Sequence, residues 1–272
     1  MSGLDVISSH RLRRIVFRPA RRVIALVVLL ALSGIGCSPR TSQFEYFRIT
    51  INDQSTLGVS VKSAIIRGAV IFFHSRGTNE FEMTSDAAHR DLVGALADSG
   101  FAVVASSARG DAWGNAESQR DYLELVEAVT RKYRVENVYF LAEGMGALPA
   151  VNVMAMGPTS RLRGMAAINP ILSIAAADAA HHAEVMSAYG SADPATSDPM
   201  AIPVDKLAGR RVQFYVDQKS EISTDANALA FQRRFGKSAD ISIVDCSDGG
   251  GGTSCFDGHS IVKWFIELEK RT

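Results

Sequence analysis

An α/β fold, with helices on both faces of a mostly parallel central sheet in three layers, is predicted by three observations. From about residue 44 onward, short apolar segments alternate with amphipathic ones at the intervals of strand–helix units. Three of the short segments, Gly68–Phe73, Phe101–Ala105 and Asn137–Leu141, carry almost no polar residue, as strands buried on both faces do. The 272-residue chain is 47% hydrophobic and 21% charged, enough for one large domain and unlike a low-complexity chain.

The elements follow in order. Phe44–Ile51 and Leu57–Val61 alternate apolar and polar residues, which predicts an antiparallel leading hairpin. After the strand at Gly68–Phe73, Ser85–Asp98 has helical spacing at Ala88, Leu92, Ala95 and Leu96, and Gly100 ends it. The strand Phe101–Ala105 leads to a long amphipathic helix over Asn115–Tyr133, carrying Tyr122, Leu125, Val126 and Val129. The strand Asn137–Leu141 precedes a helix over Met145–Met156, with Pro149 in its first turn, where a missing N–H costs little. Gly164–Ile168 is a strand, alanine-rich Ile171–Tyr189 a helix, and Ser191–Lys206, with three prolines, a loop. Arg211–Val216 and Ile241–Cys246 are the last strands, Ser223–Phe235 and His259–Lys270 the last helices. No internal repeat interrupts this order, and no stretch is long enough for a second domain.

Residues 1–36 have a different composition. They hold six arginines (11, 13, 14, 18, 21 and 22) and one acid, Asp5. With those six of the 29 basic and one of the 29 acidic residues set aside, the remainder carries 23 against 28, a net charge of −5. Such a balance gives no reason to expect nucleic-acid binding, which needs a basic stripe. The arginines precede Val23 to Leu32, VIALVVLLAL. Ten apolar residues fall short of the about 20 needed to span a bilayer, and the pattern reads as an export signal over 1–36. Ser33 to Pro39 reads SGIGCSP and resembles a bacterial lipobox, with Gly34 where leucine is usual. It makes Cys37 the expected lipid acceptor and first mature residue, and residues 37–43 a lipidated linker to the domain at 44–272. The expected location is a bacterial cell envelope, with membrane attachment through the lipid on Cys37. Plain secretion and an uncleaved anchor are the alternatives, and Arg13-Arg14 is a weak twin-arginine pattern.

Cys246 and Cys255 flank a glycine-rich loop, DCSDGGGGTSCF. Export permits a disulfide between them, whose closure is worth roughly 2.5 kcal/mol in the chain-entropy model. The alternative is two unpaired thiols at the ends of a strand and a helix. Their spacing fits no zinc pattern, and no His/Cys/Asp/Glu cluster along the chain has ligand spacing, so neither metal nor cofactor is expected.

Phe140 to Ala150, FLAEGMGALPA, frames the chemistry. An apolar run, a turn of small residues and a helix form a nucleophile elbow, which reads G-x-S-x-G. Here the five positions are Ala142, Glu143, Gly144, Met145 and Gly146: the small flanks are kept and the serine is absent. A nucleotide-binding G-x-G-x-x-G would need glycine at 149, which is Pro149, and would open the first βα unit, which this turn does not. Upstream, Phe72–Gly77, FFHSRG, closes the run at Gly68–Phe73 with a polar, glycine-bearing turn, and Val103–Trp113 is a strand followed by a glycine-containing turn. Downstream come Arg211–Thr224 and Ile241–Phe265. In this order the four features resemble the α/β-hydrolase fold, from about residue 44 to the C-terminus, with the compactness of esterases and prolyl-oligopeptidase-like hydrolases.

The resemblance implies a Ser–Asp–His triad, and residue by residue the three positions are replaced. Gly144 stands for the nucleophile. In the turn after Arg211–Val216, Ser220 stands for the acid. In the loop from Asp248 to Thr253, a glycine near Gly250 stands for the histidine. Asp217 and Glu221 are nearby carboxylates that could substitute, but the favoured reading for them is surface residues at a helix start, stabilised by its dipole. His259 opens the last helix, where a solvent-facing role suits it. An active triad needs a nucleophile, a base within reach and a residue that orients the base. Other sources are Ser75 beside His74, and Cys255 if it is not bridged; neither has a supporting motif. Arg109-Gly110-Asp111 spells an adhesion tripeptide by chance.

The expectation is therefore an exported α/β-hydrolase-fold lipoprotein without serine-hydrolase activity, a binding or envelope protein. A small molecule or lipid would occupy the former active-site cleft, surrounded by His74, Ser75, Arg76, Arg109, Trp113, Glu143 and Met145. The alternative is an active esterase, lipase or peptidase with a non-standard catalytic set.

Overall fold

The computed structural model describes residues 43–157, 160–217, 222–246 and 255–270. The export signal, Cys37, Ser220, Glu221 and Gly250 lie outside them.

Eight strands form one sheet: β1 (Phe44–Phe47), β2 (Thr56–Val61), β3 (Gly68–Phe73), β4 (Phe101–Ser106), β5 (Val138–Glu143), β6 (Leu162–Ile168), β7 (Arg211–Val216) and β8 (Asp240–Asp245). Their spatial order is β1-β2-β4-β3-β5-β6-β7-β8. β2 runs antiparallel to both β1 and β4, and every pairing from β4 to β8 is parallel. Among the described residues the α-helices are α1 (Ala87–Asp98), α2 (Ala116–Tyr133), α3 (Ala147–Met156), α4 (Ile174–Tyr189), α5 (Ala228–Phe235) and α6 (Gly258–Glu269). This is the three-layer α/β-hydrolase-like architecture.

Alternation along the central strands builds the two cores, because successive side chains leave opposite faces of a strand. Ile71 and Phe73 of β3, Phe140 of β5 and Phe214 of β7 pack with α2, α3 and α5 on one face. Val70 and Phe72 of β3, and Tyr139 and Leu141 of β5, pack with α1 and α6 on the other. All six residues of β3 and of β4 are buried, in keeping with apolar sequences broken only by Ser106 at the end of β4. A third cluster of Trp113, Met145, Leu148, Ile174 and Val185 seats α4 beside the elbow.

Side-chain caps fix the helix starts. Asp86, Asn115, Ser173 and Asp257 accept hydrogen bonds from the backbone N–H groups of His89, Ser118, Ala176 and His259. Three segments differ from the sequence expectation. β1 ends at Phe47 because the Thr56 hydroxyl takes both backbone groups of Ile49, at 2.8 and 2.6 Å, in place of the ladder. α5 starts at Ala228 rather than at 223: the Asn227 backbone, at φ −112° and ψ −96°, is not helical, and its side chain accepts the Leu172 N–H at 3.0 Å. α4 begins at Ile174 and kinks at His181, whose ring lies over Trp113. The proline-bearing loop contains three 3₁₀ turns, two of them capped by Asp193 and Asp198. Cys246 and Cys255 form a disulfide that ties the end of β8 to the start of α6, Cα to Cα 5.3 Å.

Candidate functional site

The elbow is a strand, a single 3₁₀ turn and a helix: β5 ends at Glu143, Gly144–Gly146 turn, and α3 starts at Ala147. Its two glycines are there for different reasons. A Cβ on Gly146 would lie 2.3 Å from the Phe73 carbonyl oxygen, so the approach of α3 to β3 requires glycine. Gly144 has φ +47°, the left-handed region, but a Cβ there would meet only the Ser75 Cβ, at an ordinary 3.6 Å. A side chain fits at 144, and the chain supplies none. The Gly144 carbonyl accepts the Ile171 N–H at 2.8 Å, which closes the β6–α4 loop over the turn.

Opposite Gly144 stands the loop after β3. The Ser75 N–H donates to Glu82 Oε2 at 2.7 Å, and the Ser75 hydroxyl donates to Glu82 Oε1. A buried carboxylate thus occupies the donor that a loop in this position could aim at a substrate oxygen. Glu82 comes from the 3₁₀ turn Glu80–Thr84, whose start Asn79 caps.

Beside it lies a carboxylate–imidazole–carboxylate chain. His89 Nδ1 is 2.8 Å from Asp86 Oδ2, and Nε2 is 2.9 Å from Glu143 Oε2. The ring packs on Phe256, centroid to centroid 4.7 Å. Burial by itself would lower the His89 pKa, but hydrogen bonds and charge from Glu143 and Asp86 outweigh it and raise it to about 9. Burial pushes the Glu143 carboxyl up; contact with His89 opposes this, and the neighbouring Glu82 and Asp86 charges add to it. The backbone N–H and ring of His89 hold Asp86 below its usual range. Sequence spacing points to no metal cluster, yet the fold gathers Glu82, His89 and Glu143 so that one ligand atom from each lies within 4.8 Å of the others.

Above the elbow a crevice of about 180 Å³ is lined by Ser75, Glu143, Gly144, Asn169, Ile171 and Asn227. It opens at the C-terminal ends of the parallel strands, where open α/β sheets bind ligands. The larger groove, about 970 Å³ between α1 and α6, lies away from the elbow and is lined by exposed helix faces, with His259 on its rim. The crevice is the candidate site on chemical grounds.

The residues assigned to the cleft from sequence occupy three surroundings. Ser75 and Glu143 line the crevice. His74, Trp113 and Met145 are buried beside it around a void of about 10 Å³, room for about one water. His74 lies between the Ser75 and Ser107 carbonyls, at 2.9 and 3.0 Å. Arg76 reaches Glu184 at 3.5 Å. Arg109 turns to α2, with Nε 2.9 Å from Asp121 and Nη1 3.2 Å from Glu117. The Asp217 N–H donates to the Asn169 side chain at 2.8 Å. Sequence reasoning missed Glu82, Asp86, His89, Asn169 and Asn227. Only the Asp86–His89 spacing, a helix cap and its third residue, left a local signal.

Comparison with known proteins agrees with this geometry at the level of the fold. No protein-family model and no curated protein matches the chain. Among solved structures, the chain is similar to the Pyrococcus furiosus esterase Pf2001, with a TM-score of 0.59, 14% identity, and 84% of this chain and 92% of that one covered. Est1E from Butyrivibrio proteoclasticus gives 0.56 and 13%, covering 83% and 99%. Brefeldin A esterase, described as a bacterial homologue of human hormone sensitive lipase, gives 0.57 and 13%, covering 93% and 88%.

Proposed function

We propose that this α/β-hydrolase-fold chain is an exported binding protein without serine-hydrolase chemistry, held at a membrane through a lipid on Cys37. The observation that carries the reading is the pairing of Gly144 at the elbow with the Glu82 carboxylate on the Ser75 N–H. An acyl-transfer site needs a nucleophile at the first position and N–H donors open to a developing oxyanion at the second. A carboxylate already bound to such a donor repels negative charge there. The crevice then serves ligands rather than chemistry. At about 180 Å³ it suits a small molecule or one end of a lipid. Glu143 at its wall, with Glu82 and Asp86 behind, favours a neutral or cationic group over an anionic one.

The alternative, an esterase or peptidase with a non-standard catalytic set, is favoured by one observation: the similar solved structures are esterases and peptidases. Turnover of short-chain p-nitrophenyl esters and of aminoacyl-anilides by purified protein separates the two. Background rates, with thermal-shift hits among small neutral and cationic compounds that vanish in Gly144→Leu, are expected. Saturable turnover removed by heat denaturation would establish the alternative. Metabolic labelling with palmitate tests the anchor: label lost in Cys37→Ala is expected, and an unlabelled wild type would overturn it.

A further inference from the structure

We propose that Glu82, His89 and Glu143 form a binding site for one divalent transition-metal ion, Zn²⁺ or Mn²⁺ in class, at the wall of the elbow crevice. Three donor atoms from three separate segments converge there, all within 4.8 Å of one another. Ligands at 2.0–2.2 Å from an ion stand about 3.0–3.4 Å apart when adjacent and about 4.2 Å when opposite. His89 Nε2 and Glu143 Oε2 are already at 2.9 Å. A Glu82 oxygen lies within 4.8 Å of both.

The imidazole is oriented as a ligand. Asp86 accepts the His89 backbone N–H at 3.0 Å with Oδ1 and faces Nδ1 at 2.8 Å with Oδ2. A carboxylate on Nδ1 keeps that nitrogen protonated, so that loss of the Nε2 proton, which Glu143 accepts in the metal-free site, frees the Nε2 lone pair for an ion; metal-bound histidines characteristically have this support. Phe256 and Phe72 hold the ring plane. The charge is also right. Three carboxylates surround one imidazole, and among the described residues no arginine or lysine pairs with Glu82 or Glu143. A divalent ion in place of the shared proton adds a positive charge where negative charge is in excess.

Both Glu82 oxygens keep lone pairs beyond those used by the Ser75 N–H and hydroxyl, so Glu82 can ligate without releasing that loop. Glu143 also lines the crevice, which brings the trio to its wall. One nitrogen and two carboxylates suit borderline first-row ions better than Ca²⁺ or Mg²⁺, which take oxygen ligands. The site stands whether or not the crevice is catalytic.

The test is calorimetric titration of untagged, EDTA-stripped protein with ZnCl₂ and with MnCl₂, followed by Co²⁺ absorption spectroscopy. One equivalent bound by wild type is expected, with affinity at least tenfold lower in Glu143→Gln and in His89→Ala, and unchanged in His259→Ala. The Co²⁺ ligand-field bands should fade in the same two variants. Circular dichroism checks that they fold, and Glu143→Gln, which keeps the side-chain shape, decides if His89→Ala does not. No saturable binding by either ion, or binding that survives Glu143→Gln and falls in His259→Ala, would overturn the proposal and leave the trio a proton-held bridge.

Discussion

The two elbow glycines should respond to the same substitution by clearly different amounts. At Gly146 an added Cβ would sit 2.3 Å from the Phe73 carbonyl oxygen and 2.7 Å from that of His74. Both oxygens belong to backbone that cannot rotate away, so α3 must lift off β3. Overpacking costs about 1–3 kcal/mol, and a clash with two backbone oxygens this close lies at the upper end of that range. At Gly144 the added Cβ meets one atom at 3.6 Å, and only φ +47° opposes it. The left-handed conformation costs alanine about 1–2 kcal/mol, and the stiffer unfolded chain returns about 0.5 kcal/mol, leaving about 1 kcal/mol. Urea unfolding of Gly144→Ala and Gly146→Ala, followed by far-UV circular dichroism, measures the difference. In melting temperature, about 1 kcal/mol is about 2–4 °C for a domain of this size. Equal losses, or a larger loss at Gly144, would refute the assignment of a steric requirement to one glycine and a conformational one to the other.

Other consequences can be checked in the same way. Cys246→Ser should lower stability by about 2–3 kcal/mol, and dithiothreitol should shift the wild-type melt but not the variant's; a melt insensitive to reductant would count against the bridge. Asp257→Ala removes the acceptor of the His259 and Ser260 N–H groups and should cost about 1–2 kcal/mol by thermal melt, several times the effect of the exposed His259→Ala. In chelator-treated protein the His89 pKa is raised to about 9, above its value of about 6.5 in an unfolded chain. Its contribution to stability is then complete below about pH 6.5 and lost as pH rises through 9. Melting temperature should fall across that window in wild type and less in Glu143→Gln; parallel curves would remove His89 as the cause.

Much of the fold is legible because it follows from local patterns. The short apolar runs at β3, β4 and β5, too short for helices and bounded by polar and glycine-bearing turns, read as strands buried on both faces, and the Asn115 cap marks the start of α2. The elbow was readable because two of its positions are sterically constrained, and Gly146 with Ala142 met the constraint. What the sequence hid depends on partners far along the chain. Thr56 cuts β1 short through Ile49, and Asn227, non-helical in its backbone, holds Leu172 with its side chain. The Glu82–His89–Glu143 trio spans three segments, and its contact between residues 89 and 143 has no periodic trace. Glu82 reads as an ordinary acid in a surface turn until the fold lays that turn over Ser75.

The proposed lack of serine-hydrolase chemistry on this fold is tested most directly by intact-mass spectrometry after exposure to a fluorophosphonate. The expected result is an unchanged mass at saturating probe, in native and heat-denatured samples alike. A stoichiometric adduct formed by native protein and absent after denaturation would contradict the account, and peptide mapping would then name the residue that acts in place of Gly144.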